Sequence, residues 1–244
     1  MTTYVLVPGF WAGAWIWEPV TRALRARGHD VHPVTLTGLA ERVHLARPDV
    51  DLETHVTDVL HLLRYEDLHD VVLVGHSYGG AVVIPSVADR VPDRIARLAF
   101  VDSGPLPDGM SHAEFAPPDE QARTRALVEA EGDGWLLPPP VWSDRAAGAT
   151  DVTPAALARL TDRSVPQPWA PALDPVRLTG AWEKIPRLGV MSSFAGAQAR
   201  ALAGTVPAFR HMDGDGWTYR DLPTWHWPMV SRPADLADIL HEAG

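Results

Sequence analysis

The segment Val71-Val72-Leu73-Val74-Gly75-His76-Ser77-Tyr78-Gly79-Gly80 constrains the fold more than any other part of the chain. Four apolar, mostly β-branched residues read as a buried strand. They run directly into Gly-x-Ser-x-Gly, and a helical pattern follows. A serine raised on a strand-to-helix elbow needs this order, because the turn strains the serine backbone and crowds the positions two before and two after it. Gly75 and Gly79 relieve that crowding, and Gly80 lets the next helix approach the strand. Ser77 Oγ is then expected above the carboxyl end of a parallel sheet. A strand–turn–helix joint with an idle serine is the plainer alternative, and the rest of the chain decides between the two.

The rest of the chain reads as α/β. Strand signals at Tyr4–Val7, Val31–Leu36, Val71–Val74, Leu98–Val101, Arg187–Met191 and Trp217–Leu222 alternate with helical ones. This predicts a doubly wound, mostly parallel, six-stranded sheet covered on both faces. Glu18–Arg27 has proline in its first turn and Gly28 just past its end. Asp51–Tyr65 carries apolar residues at helical spacing, with Asp51 as N-cap. Thr37–Val50 reads as a loop whose Arg42, His44, Arg47 and Asp49 are solvated. Pro85 falls inside the helix after the elbow, where proline ordinarily costs about 3 kcal/mol, and nothing in the sequence explains its tolerance. From Gly104 to Pro186 the alternation stops and prolines accumulate. Too long for a structureless loop, this stretch predicts a helical cap, with one helix at Pro154–Asp162 capped by Thr153. Residues 1–103 and 187–244 then form the core, and 104–186 the cap inserted after the fourth strand.

Composition narrows the function classes. The chain has no cysteine, which excludes disulfides, thiol nucleophiles and thiolate metal sites. A net charge of −10 argues against nucleic acid or an anionic membrane as partner. No apolar run reaches the roughly 20 residues of a membrane span, and the N-terminus lacks a basic leader, so a cytoplasmic protein is expected. A homodimer is compatible with all of this. Asp213-Gly214-Asp215-Gly216 lacks the further ligands of a calcium loop, so it reads as a turn. No metal or cofactor is expected.

An acyl-transfer serine needs a base, an acid that orients the base, and donors for the oxyanion. In hydrolases built on such a sheet the histidine follows the last strand. His226, in Leu222-Pro223-Thr224-Trp225-His226-Trp227-Pro228, has that place among the eleven histidines. The oxyanion donors are expected to be the backbone N–H of Tyr78 and that of Phe10, after the first strand. Ten tryptophans suit an apolar pocket with aromatic walls. Trp11 and Trp227 are expected there by position, and Trp135 as a contribution of the cap.

Val5-Leu6-Val7-Pro8-Gly9-Phe10-Trp11-Ala12-Gly13-Ala14-Trp15-Ile16-Trp17 resembles the opening of the plant salicylate methylesterase and hydroxynitrile lyase branch of the α/β-hydrolases. The elbow, Val101-Asp102-Ser103-Gly104-Pro105-Leu106-Pro107-Asp108-Gly109 and His226-Trp227-Pro228-Met229 match that branch in place. The resemblance spans nearly the whole chain and is weakest in the cap. It implies a serine esterase acting on a small hydrophobic ester or lactone, with Ser77 as nucleophile and His226 as base. There are two departures. Pro8 replaces the usual histidine before Gly9. The family's acid normally follows the strand before the last helix, where this chain has Val190-Met191-Ser192-Ser193-Phe194-Ala195 and no carboxylate. Asp102, at the carboxyl end of the fourth strand, is the expected substitute, and a Ser–His dyad is the alternative.

Two other functions are open to a chain of this kind. The branch's lyases use a threonine on the oxyanion loop and a lysine after the histidine, and this chain has Gly9 and Trp227 there. A neutral indole cannot stabilise departing cyanide as an ammonium does. Some members of the fold are receptors or non-hydrolytic biosynthetic enzymes, and retention of Ser77 and His226 does not by itself exclude such a role.

Overall fold

The computed structural model describes residues 1–244. Strands β1 (Thr3–Val7), β2 (Asp30–Pro33), β3 (Val71–His76) and β4 (Ile95–Val101) form most of the central sheet, with α1 (Glu18–Ala26), α2 (Leu52–Tyr65) and α3 (Ile84–Arg90) between them. A long insertion follows. It holds α4 (Pro118–Glu131), β5 (Leu136–Leu137), α5 (Trp142–Arg145), α6 (Pro154–Arg163), β6 (Gln167–Pro168) and α7 (Ala170–Leu173). The sheet is completed by β7 (Arg187–Met191) and β8 (Trp217–Asp221), with α8 (Gly196–Ala203) between them and α9 (Pro228–Ser231) and α10 (Pro233–Ala243) at the end.

The sheet order is β2-β1-β3-β4-β7-β8, with every pairing parallel, while β5 and β6 form a small antiparallel hairpin in the insertion. The direction of winding reverses between β1 and β3. Their carboxyl ends therefore diverge into a crevice, where ligands bind in open α/β sheets. The loop after β1 and the Ser77 elbow after β3 both empty into it.

Strand alternation builds the two layers of core. Val5, Val7, Leu73, Leu98 and Phe100 pack with α2, α3 and Trp182 on one face. Tyr4, Leu6, Val72, Val74, Ala99 and Val101 meet Trp17, Val20 and Leu24 of the first helical layer and Leu236 and Leu240 of α10 on the other. The second strand stops at Pro33, short of the expected Leu36. Proline has no N–H for the ladder and is tolerated here because β2 is an edge strand.

Pro85 has a structural explanation. The chain leaves the elbow through a wide π-type turn over Gly79–Val83, and α3 starts at Ile84, which puts Pro85 in its first turn. The carbonyl of Ala81, four residues earlier, is the acceptor that proline cannot serve, and the Leu106 N–H bonds it instead at 3.0 Å. Thr153 caps α6 as expected, its hydroxyl accepting from the Ala156 N–H at 3.2 Å. The expectation for Arg42 needs correction. Its guanidinium bonds the Thr35 carbonyl at 2.9 Å and the Thr37 hydroxyl at 2.8 Å, and pairs with Asp58. It ties the β2–α2 connection together.

Candidate active site

Ser77 adopts φ +50, in the left-handed region that side-chain-bearing residues avoid. Close packing around the elbow holds it there. A Cβ on Gly75 would lie 2.7 Å from the backbone of Gly80, so strand and turn can approach this closely only through glycine. The Ser77 N–H donates to the Val101 carbonyl at 3.3 Å, and the Ser103 hydroxyl donates to the Ser77 carbonyl at 2.8 Å. Both bonds fasten the elbow to the end of β4.

The loop after β8 brings His226 to the elbow. Its Nε2 lies 3.1 Å from Ser77 Oγ and its Nδ1 2.5 Å from Asp102 Oδ2. An ionised carboxylate only accepts, so Nδ1 carries the proton and Nε2 is free to accept from the serine hydroxyl. The Asp102 side chain is fully buried. Its Oδ1 accepts from the N–H groups of Ser192 at 2.8 Å and Ser193 at 2.9 Å, and its Oδ2 also accepts from Ser193 Oγ at 2.7 Å. Burial by itself raises the carboxyl pKa, but the hydrogen bond and charge of His226 and the Ser193 donors outweigh it and hold Asp102 below the usual carboxylate range. Strands β4 and β7 are neighbours, with Val101 opposite Val190. The Asp102 carboxylate therefore stands one strand over from the place where the resembling branch carries its acid, and the Ser192–Ser193 loop at that place supplies hydrogen-bond donors to it. Asp213 and Asp215 precede Trp217, which pairs with the first residue of β7, so they lie at the amino end of the sheet.

The main chain of His226 is fixed as well. His76, beside the serine in sequence, donates from Nε2 to the His226 carbonyl at 2.7 Å. Thr224 bonds Asp151 and, at 2.7 Å, Ser231 Oγ, while Trp225 Nε1 donates to the Arg145 carbonyl at 3.1 Å. The insertion thus braces the histidine loop.

The N–H groups of Phe10 and Tyr78 have no acceptor within the protein. The loop that presents Phe10 is itself held from the insertion. Trp11, at φ +63, donates its N–H to Gln167 Oε1 at 3.3 Å and its indole N–H to the Leu137 carbonyl at 3.2 Å. Its carbonyl accepts from the Val165 N–H at 3.1 Å. Gln167 is wholly buried. A Cβ on Gly9 would lie 2.9 Å from His76 Nδ1 and 3.0 Å from Ser77 Cβ. The threonine that lyases of the resembling branch carry on this loop has no room here.

Two cavities meet at Ser77 and His226. One, of about 230 Å³, is walled by Phe10, Trp11, Leu137, Trp169 and Trp227. The other, of about 480 Å³, is walled by Ala81, Leu106, Phe194, Phe209 and Met212. Of the expected pocket residues, Trp11 and Trp227 line the first cavity and Trp135 lines neither. Trp135 accepts a backbone bond from Trp169 at 2.9 Å, and Trp169 holds the wall in its stead. The sequence reading rested on the abundance of tryptophan in the insertion, which cannot say which indole turns inward. It also passed over His55, His112, Ser193 and Gln167. No group of three or more His, Asp or Glu side chains converges as a metal site would.

His55 lies fully buried behind the site. It donates from Nε2 to the Thr37 carbonyl at 3.0 Å, and its Nδ1, at 2.9 Å, accepts from the Tyr78 hydroxyl. Burial lowers its pKa to about 4, and that of His112 to about 4; it also pushes His76 down, with the His226 charge adding to the effect. Between the ordinary histidine pKa of about 6.5 and about 4, the unfolded chain binds protons that the folded chain refuses, so stability falls as pH falls through that window. Urea midpoints are expected to drop from pH 6.5 to pH 4.5, by up to about 1.4 kcal/mol per pH unit for each such histidine. His55→Gln is expected to flatten the slope. A variant profile parallel to that of the wild type excludes His55 as a contributor.

The chain has counterparts among known proteins. The sequence pattern described as "Alpha/beta hydrolase family" matches residues 4–239, and the chain belongs to that family. It is 33% identical, over 270 aligned residues covering 100% of both chains, to the carbendazim hydrolyzing esterase of Nocardioides sp. (strain SG-4G). It is 27% identical to the putative methylesterase 14, chloroplastic, of Arabidopsis thaliana, across 98% of this chain and 71% of that one. This chain is a carboxylic ester hydrolase. Among solved structures, an extracellular alpha/beta-hydrolase from a Paenibacillus species shares the fold, with a TM-score of 0.81 and 24% identity over 100% of this chain and 99% of that one. No helix is long and apolar enough to cross a membrane.

Proposed function

We propose that the chain hydrolyses a carboxylic ester or lactone of a small hydrophobic molecule through a Ser77 acyl-enzyme. The observation that carries this reading is the continuous hydrogen-bonded path from Ser77 Oγ through His226 to buried Asp102, at the junction of two apolar-walled cavities. His226 Nε2 takes the Ser77 proton as Oγ attacks the carbonyl carbon. Asp102 holds Nδ1–H throughout and stabilises the imidazolium that forms. The N–H groups of Phe10 and Tyr78 receive the oxyanion, and being fixed beforehand they need no reorganisation as charge develops. His226 then protonates the departing alkoxide, and water releases the acyl group by the same path.

The two cavities suit an ester with one arm on each side of the carbonyl, the insertion acting as a cap over both. Residues 104–186 supply Phe115, Arg145 and Trp169 to the cavity walls.

A fluorophosphonate probe tests the reading, because it reacts only with an activated serine. Rapid labelling that disappears in S77A, together with turnover of 4-nitrophenyl esters, is the expected result. Ester turnover without labelling, or labelling and turnover that persist in S77A, overturns the Ser77 acyl-enzyme reading.

A further inference from the structure

His112 is a histidine at the site whose ring the proposed mechanism leaves without a task. It lies in the insertion just before a short helical turn at Ala113–Phe115, and it lines both cavities, as Ser77 and His226 do. Its neighbours fix the ring. Phe10 meets it edge-on at a centroid distance of 4.8 Å, and Tyr78 at 5.5 Å. Tyr78 is in turn held by His55. Edge-to-face packing against two clamped aromatic rings leaves the imidazole little freedom.

The other histidines of the site each bond protein through the ring, and the one ring nitrogen among them without a partner, His76 Nδ1, is sealed in the core. His55 bonds Thr37 and Tyr78, His76 bonds the His226 carbonyl, and His226 bonds Asp102 and Ser77. Neither ring nitrogen of His112 bonds a protein group, and neither is sealed in the core as an unpaired atom. The residue lines both cavities, so its unpaired ring borders the space that a substrate fills. A polar group held rigidly among apolar walls distinguishes a ligand that satisfies it from one that does not, because the mismatched ligand desolvates it without return.

We propose that His112 is a specificity-determining contact, receiving a neutral hydrogen-bonding group carried within a few bonds of the scissile carbonyl. The preferred esters are thus not pure hydrocarbons: one arm bears a hydroxyl or amide. Burial keeps the imidazole uncharged at neutral pH, so it offers one donor and one acceptor. Such a pair matches a hydroxyl or amide and gives no ion pair to a carboxylate. This inference rests on the hydrolase reading above.

Matched esters test it. For the acyl arm, 4-nitrophenyl pentanoate is compared with its 2- and 3-hydroxy derivatives. For the alcohol arm, cyclohexyl butyrate is compared with 2- and 3-hydroxycyclohexyl butyrate. In the wild type, at least one hydroxylated ester is expected to exceed its parent about tenfold in kcat/KM, the size of one well-placed hydrogen bond. His112→Leu is expected to lower kcat/KM about tenfold more for that ester than for its parent, and His112→Gln to restore part of the preference. His112→Phe keeps the aromatic packing and repeats the measurement if the leucine variant does not fold. The proposal is overturned by a wild type that favours no hydroxylated ester. A preference that survives removal of the imidazole, or equal losses for both members of a pair in a folded variant, overturns it too. Fluorophosphonate labelling of Ser77 separates the two failures. Its absence in the wild type defeats the acyl-enzyme reading, whereas labelling without a His112-dependent preference defeats only the role given to His112.

Discussion

Ser77→Ala is expected to reduce kcat for ester hydrolysis by about 10⁴-fold or more, with folding unchanged. Only one oxygen is lost, from a side chain that points into a cavity. Alanine keeps the Cβ, so the strained φ of +50 costs the variant what it costs the wild type. Nothing else at the site can attack in its place. Ser103 Oγ is committed to the Ser77 carbonyl and Ser193 Oγ to Asp102. The residual rate is expected to reflect the oxyanion donors and binding alone. Retention of a tenth of the wild-type kcat in a folded S77A protein sinks the acyl-enzyme mechanism. A thermal midpoint several degrees lower, with rates restored on cooling, assigns the effect to stability instead.

The legible parts of this site were those encoded locally. The elbow, the loop after β1 and the position of His226 are each set by a few consecutive residues and by the order of strands. What escaped depended on contacts between distant segments. Asp102 could be placed at the right edge of the sheet, yet its donors Ser192 and Ser193 come from a loop 90 residues on, brought beside it because β4 and β7 pair across the insertion. Pro85 looked like a defect because its remedy, the Leu106 N–H, lies past the next strand. Within the insertion the pattern loses its period, so composition indicated aromatic walls without separating Trp169 from Trp135. Gln167 and His112 carry no local signal, since a buried glutamine on a two-residue strand and a histidine before a short turn look like any others in a sequence. The local sequence around Arg42 looks solvated for a similar reason, because its acceptors are carbonyl, hydroxyl and carboxylate groups that only the fold assembles.

Asp102→Asn is expected to lower kcat by about 10³–10⁴-fold, the second largest effect at the site. Its Oδ1 can go on accepting from Ser192 and Ser193, so the backbone around it is held much as before. The change falls on the atom facing His226 Nδ1. An amide NH₂ there donates, which turns Nδ1 into an acceptor and moves the imidazole proton to Nε2. Nε2 can then no longer accept from Ser77, and an imidazolium that does form has lost its counter-charge. A dyad predicts a different result. If Asp102 only caps the turn after β4, the asparagine variant should keep kcat within about tenfold, because the imidazole then orients itself through its main chain and the His76 bond. The pH profile adds a second reading. Asp102 is held below the usual carboxylate range, so its charge stabilises the fold above pH about 4 and that contribution is lost as pH falls. The variant should therefore be less acid-sensitive in stability while losing activity at every pH. Asp213→Asn, at the amino end of the sheet, is the matched control and is expected to leave kcat unchanged; a loss there equal to that of Asp102→Asn points to a global disturbance and removes the case for Asp102 as the orienting acid.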